Sequence, residues 1–173
     1  MNITLKQVYK LFTLIAFAIS TLLLLQCKDN KTSEGEWKTY NGDSFVIDFP
    51  ANWDVDSSGL YDVQSFTCLS PETGNKKETL SFGIILVVDS ADLLVAVNNF
   101  MNKWGFNSSK PKAVEIGKRN GLYVEANTDN VFFHNYFIKQ DDILYFIFFA
   151  GESDAVKMWA DKAKAMVNSF RIL

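Results

Sequence analysis

VFFHNYFIKQDDILYFIFFA, Val131–Ala150, is the stretch whose reading decides the fold. It divides at Asp141-Asp142 into two apolar runs, Val131–Lys139 and Ile143–Ala150. Large side chains occupy alternate and intervening positions alike: Phe132, Phe133, Tyr136 and Phe137 in the first run, Tyr145 to Phe149 in the second. Successive residues of a strand point to opposite faces, so a strand that is apolar throughout must be covered on both. The acidic pair between the runs suits a turn. The stretch therefore predicts an antiparallel hairpin in the middle of a sheet, with other parts of the chain packed above and below it.

Two segments have the period to do the covering. Leu93, Val97, Phe100, Met101 and Trp104 recur at spacings of three and four, which gives one apolar helix face. Ser90 is a candidate N-cap for this helix, Asp92 suits its first turn, and Gly105 follows as a stop. A second helix runs from about Asp154 to Asn168 with Ser153 as cap, and Val156, Trp159, Ala163, Met166 and Val167 form its stripe. Further strands are predicted at Trp37–Tyr40, Phe45–Phe49, Tyr61–Leu69, Leu80–Val88, Val114–Lys118 and Leu122–Ala126. Asn41-Gly42 and Asn120-Gly121 are the hairpin dipeptides among them, Pro50 ends a strand, and Ser70–Glu78 is a polar loop. Ser169–Ile172 closes the chain as a short extended segment. The expected class is α+β: a mostly antiparallel sheet of about seven strands with two amphipathic helices packed on it.

The amino-terminal end reads differently. Met1–Lys10 is polar with two lysines, and Leu11–Leu25 is a 15-residue uncharged apolar run. A helix needs about 20 residues to span a bilayer, so this run suits a signal h-region. Leu24-Leu25-Gln26-Cys27 follows, then the polar stretch Lys28–Glu36. This resembles a bacterial lipoprotein signal with its lipobox, with Gln26 where the box usually has Gly, Ala or Ser. The resemblance implies cleavage before Cys27 and acylation of that cysteine. The expected organisation is a signal peptide at 1–26, a lipidated Cys27 with a polar tether at 27–36, and one globular domain at 37–173.

Composition narrows the function. The chain has 173 residues, 48% hydrophobic and 14% aromatic, enough for a packed core. Its formal charge is −3; without residues 1–26 it has 15 basic against 20 acidic residues, or −5. That balance leaves no electrostatic footprint for nucleic acid. No G-x-S-x-G elbow, glycine-rich phosphate loop or calcium-loop spacing occurs, so no catalytic, metal or cofactor-binding residue is expected. His134, the only histidine, shares its predicted face with Phe132 and Tyr136, which are poor ligands, and should titrate or hydrogen-bond locally. Cys68 is the one thiol besides Cys27 and is expected buried in its strand. Trp104, Phe106 and Asn107–Lys110 are candidates for a protein-contact rim.

The order of elements resembles the PsbP/DcrB-type α/β/α sandwich. The residues that carry it are Tyr40-Asn41-Gly42 through Phe45-Val46-Ile47-Asp48-Phe49-Pro50 to Trp53, and Tyr145–Phe149 followed by a helix and Ser169-Phe170. Trp53 is expected to fold over the sheet edge and Phe170 to plug the end of the last helix into the core. The resemblance implies protein binding without chemistry: its members include photosystem accessory subunits, envelope lipoproteins and a regulator of a nuclear-transport GTPase. The expected function is a non-enzymatic envelope lipoprotein, held to the outer membrane through lipid on Cys27, that binds an envelope protein. The alternatives are a small-molecule or lipid carrier with an apolar pocket, and a toxin-neutralising immunity lipoprotein.

Overall fold

The computed structural model describes residues 35–56, 66–72, 78–105 and 107–173. The predicted signal, Cys27 and most of the tether, residues 61–65 of one predicted strand, residues 73–77 of the polar loop, and Phe106 lie outside the described residues. In chain order the elements are β1 (Trp37–Asn41), β2 (Phe45–Pro50), β3 (Asp54–Asp56), β4 (Phe66–Leu69), β5 (Ser81–Val88), α1 (Leu93–Trp104), β6 (Asn107–Ser108), β7 (Lys112–Ile116), β8 (Arg119–Thr128), β9 (Val131–Gln140), β10 (Ile143–Glu152), α2 (Ser153–Ser169) and β11 (Arg171–Ile172).

The β9–β10 hairpin is at the centre, as its apolar faces require. The main sheet runs β3-β4-β5-β10-β9-β8-β6, with β7 pairing β8 as an eighth strand, and every pairing is antiparallel. Alternate residues of β10 enter two separate cores. Tyr145, Ile147 and Phe149 pack with Ala155, Ala163, Met166 and Val167 of α2. Leu144 and Phe146 pack with Ala96, Val97 and Met101 of α1. The helices therefore cover opposite faces, and the α+β layered class holds.

The first hairpin does not join the main sheet. It forms a three-stranded sheet, β1-β2-β11, with the carboxyl-terminal segment as its edge. Phe45, Ile47 and Phe49 of β2 belong to the same core as α2. The short extended tail thus has a partner: Arg171 and Ile172 pair with Val46 and Phe45, and the Ser169 hydroxyl accepts the Asp48 amide at 2.9 Å. Phe170 is buried between them, as expected. Trp53 is also buried, edge-on to Trp159 at 6.0 Å, beside the β3 edge.

Both asparagine–glycine turns are displaced from their predicted places. In the first hairpin Asn41 still pairs with Val46, and the Gly42 amide donates to the Phe45 carbonyl at 2.9 Å, so the loop is Asp43-Ser44. In the second, Ile116 pairs with Arg119 and the turn is Gly117-Lys118, with φ of 51° and 69°. Two positive φ values are what a two-residue hairpin turn of the primed type needs. Asn120 and Gly121 lie inside β8, where a Cβ on Gly121 would come 2.6 Å from the Phe137 carbonyl oxygen. That glycine serves close strand packing instead of a turn.

The predicted caps shift as well. The residue before α1 is Asp92, whose carbonyl accepts the Ala96 amide at 2.9 Å but whose side chain makes no cap bond. Ser90 lies outside, and the Asp89 carboxylate takes the Ala91 amide at 2.8 Å. Gly105 closes α1 in the left-handed conformation, as predicted. Glu152, not Ser153, precedes α2, because β10 runs straight into the helix with no linker. Ala155 is buried in α2, while Val156 and Trp159 are only partly buried.

Candidate functional site

The α1 face of the sheet carries a stack of rings. Phe100 meets Phe146 at 4.6 Å and Phe137 at 5.7 Å; Phe146 stacks on Phe137 at 5.0 Å and on Phe148 at 5.1 Å. At the β5 side of the helix this packing stops short and leaves a recess of about 280 Å³. Its sheet wall is Ile85, Val87 and Leu144; its helix wall is Asn99, Phe100, Lys103 and Trp104, with Asp89 at the rim. An apolar hollow with a few polar groups is the usual form of a binding pocket. This one matches an aromatic side chain or a small ring compound better than a whole lipid.

Trp104, predicted on the apolar face of α1 and as part of a contact rim, is 55% exposed. It sits in the last turn of α1, with its ring 6.0 Å from that of Phe100. Leu94 and Val95 on α1 and Val88 at the end of β5 are exposed too. Of the predicted rim, Trp104 lines the recess, Phe106 is outside the described residues, and Ser108 and Ser109 line a different cleft beside Glu125, Asn127 and Phe132.

His134 does share its face with Phe132 and Tyr136, but its closest polar partner comes from β8. The Tyr123 hydroxyl lies 2.5 Å from His134 Nδ1 and donates to the Glu125 carboxylate at 3.0 Å. A hydroxyl has one proton and a carboxylate only accepts. With the Tyr123 proton directed at Glu125, the matching tautomer of neutral His134 has its proton on Nδ1 and donates to the Tyr123 oxygen. The ring also stacks on Phe149 at 4.6 Å. Burial lowers the His134 pKa from its usual 6.5 and outweighs Glu125, which raises it; Lys164 of α2 lowers it further. Burial and Glu125 also push Tyr123 upward and Tyr136 to about 12. This set orients hydrogen bonds but contains no activated nucleophile.

Sequence reasoning expected titration or a local hydrogen bond at His134 and did not find its cross-strand partners. Glu125 lies directly opposite His134, with Thr128 opposite Val131 across a turn at Asp129-Asn130. Counting back from that turn is the signal that could have found the pair.

Cys68 is fully buried, and burial pushes its thiol pKa up. Asp141-Asp142 forms the hairpin turn, with Asp141 at φ 52°. Among the described residues no three His, Cys, Asp or Glu side chains gather as metal ligands. No helix among them is long and apolar enough to cross a membrane.

No protein-family model matches the sequence, and no curated protein matches it. Solved structures do match. A Bacteroides thetaiotaomicron protein superposes with a TM-score of 0.55 at 14% identity over 82% of this chain, which spans about half of that protein (49%). Cyanobacterial PsbP (CyanoP) from Synechocystis gives 0.55 at 11% identity, over 86% of this chain and 99% of its own. LpqN of Mycobacterium tuberculosis, involved in cell envelope biogenesis, gives 0.53 at 10% identity, over 82% and 93%. At such identities the likeness is one of fold: the domain has the PsbP-type architecture.

Proposed function

We propose that this chain is a lipid-anchored protein of the bacterial envelope, and that its domain is a non-catalytic binding module whose contact site is the recess beside α1. The observation that carries the reading is Trp104: a large, rigid ring left exposed at the mouth of an apolar hollow. Tryptophan is enriched among the residues that dominate protein interfaces. Exposed Leu94, Val95 and Val88 extend the apolar surface around the same helix. The lipobox-like Leu24–Cys27 supports the anchor, and the fold shared with LpqN is in keeping with an envelope role. The orienting hydrogen bonds around His134 lack a nucleophile, which argues for binding over chemistry.

The test is photo-crosslinking in cells from a benzoyl-phenylalanine placed at Lys103. A single envelope protein should be captured, and Trp104→Ala should reduce its yield by about tenfold, the scale of a hot-spot residue. Trp37→Ala is the control, since Trp37 is comparably exposed on the small sheet. Equal loss from both variants, or no loss from either, would remove the recess as the contact site. The second reading, a small-molecule carrier, draws on the same hollow.

A further inference from the structure

Two polar residues are buried among the described residues, Ser70 and Asn135. Ser70 is satisfied, since its hydroxyl accepts the Leu80 amide at 2.8 Å. Asn135 is fully buried, and neither its Oδ1 nor its Nδ2 has a hydrogen-bond partner. It sits in mid-sheet, opposite Phe148 of β10 on one side and Val124 of β8 on the other. Alternation along β9 puts it on the α1 face between Phe133 and Phe137. The neighbouring backbones are committed to the sheet ladders, so they have little left to offer it. An unpaired carboxamide in such surroundings is destabilising, and an apolar side chain of similar shape would avoid that penalty. A group of this kind asks for a partner that the protein itself does not supply.

The chemistry of the partner follows from the group. A carboxamide presents a donor and an acceptor side by side, and its complement is a head that does the same. Among the described residues the buried polar ones are Ser70 and Asn135 and none is charged, so a head seated at Asn135 must be neutral. The strand register sets the route. Phe146 lies opposite both Phe137 and Ile85, and Ile85 lines the recess. The rings of Phe146 and Phe148 on β10 therefore stand between the β5 side, where the recess lies, and Asn135 on β9. Phe146 is buried in this stack, whereas Phe148, directly opposite Asn135, is only partly buried and is the ring that can move.

We propose that the α1 face holds a ligand compartment in which the recess takes the apolar end of a small molecule and Asn135 pairs with its carboxamide head, reached when the Phe148 ring turns aside. This rests on the α1 recess being a binding site, and it names the ligand class for it.

The experiment is a titration of the full chain in lipid nanodiscs with benzamide, following the Asn135 side-chain amide by NMR. N,N-dimethylbenzamide, which keeps the acceptor and lacks the donor, is the comparison. Benzamide should shift the Asn135 amide saturably and bind roughly tenfold tighter than the dimethyl compound, the worth of about one net hydrogen bond. Asn135→Leu should erase that preference and melt at a higher temperature. If Asn135→Leu does not fold, Asn135→Ser serves for the same affinity comparison. Benzamide signals confined to Trp104 and Phe100 would overturn the proposal and leave the recess standing. A bound water at the Asn135 amide that benzamide does not displace would overturn it too, by showing the carboxamide already satisfied. No saturable change anywhere would sink both the compartment and the carrier reading, while the crosslinking from Lys103 judges the protein contact separately.

Discussion

At position 117 backbone geometry leaves no choice of residue. Gly117 has φ 51°, and a Cβ there would lie 1.8 Å from the Phe170 carbonyl oxygen. Gly117→Ala must push the turn away from the end of α2, so we expect a loss of about 2–4 kcal/mol in unfolding free energy, read by urea denaturation. The neighbouring Lys118 is a non-glycine residue at a positive φ, so Lys118→Gly should be neutral or stabilise by about 1 kcal/mol. His134 makes a pH prediction. Its pKa is lowered in the folded state, so near and below 6.5 the unfolded chain binds protons more readily. Stability should therefore fall as pH drops through that value, and His134→Gln should flatten the slope of melting temperature between about pH 5 and 7. An unchanged slope would mean that His134 titrates normally in the fold.

At the scale of elements, local patterns located the strands and helices well, but their ends depended on neighbours. The Gly105 stop of α1 was legible because a left-handed residue ending a helix favours glycine whatever surrounds it. The cap at the other end was not legible, because Asp89, Ser90 and Asp92 are all plausible caps and only packing chooses among them. Gly105→Ala should accordingly cost about 1 kcal/mol, whereas Asp92→Ala, which removes no cap bond, should cost well under about 0.5 kcal/mol. Thermal unfolding of the two variants side by side checks this. The same contrast explains the turns. Asn120-Gly121 is a strong local signal, but Gly121 is needed where β8 packs under Ile116 and against Phe137, and so the turn falls on Gly117-Lys118. Trp104 fits the helix period, yet it is left more than half exposed at the end of the helix.

At the scale of the whole molecule, the anchor and the domain make separate claims. If Cys27 is the lipidated residue, wild type should lose residues 1–26, gain acyl mass and follow the membrane, while Cys27→Ala does none of these. Intact mass and membrane partition decide it: two variants that both keep the leader would make Leu11–Leu25 an uncleaved anchor, and two that are both cleaved and released would make the domain a free protein. What the sequence alone determined was the content of the domain. Strand and helix periods, the doubly apolar Val131–Ala150 hairpin and the absence of a catalytic motif are local or compositional properties, written in neighbouring residues. What only the tertiary structure decided was adjacency: the second sheet built from both ends of the domain, the Glu125–Tyr123–His134 contact, the recess under Trp104 and the unpartnered Asn135. These depend on strand register and on where one layer outruns another. A single chain read in order does not carry that information, because contacts between distant residues are settled by packing all the elements at once.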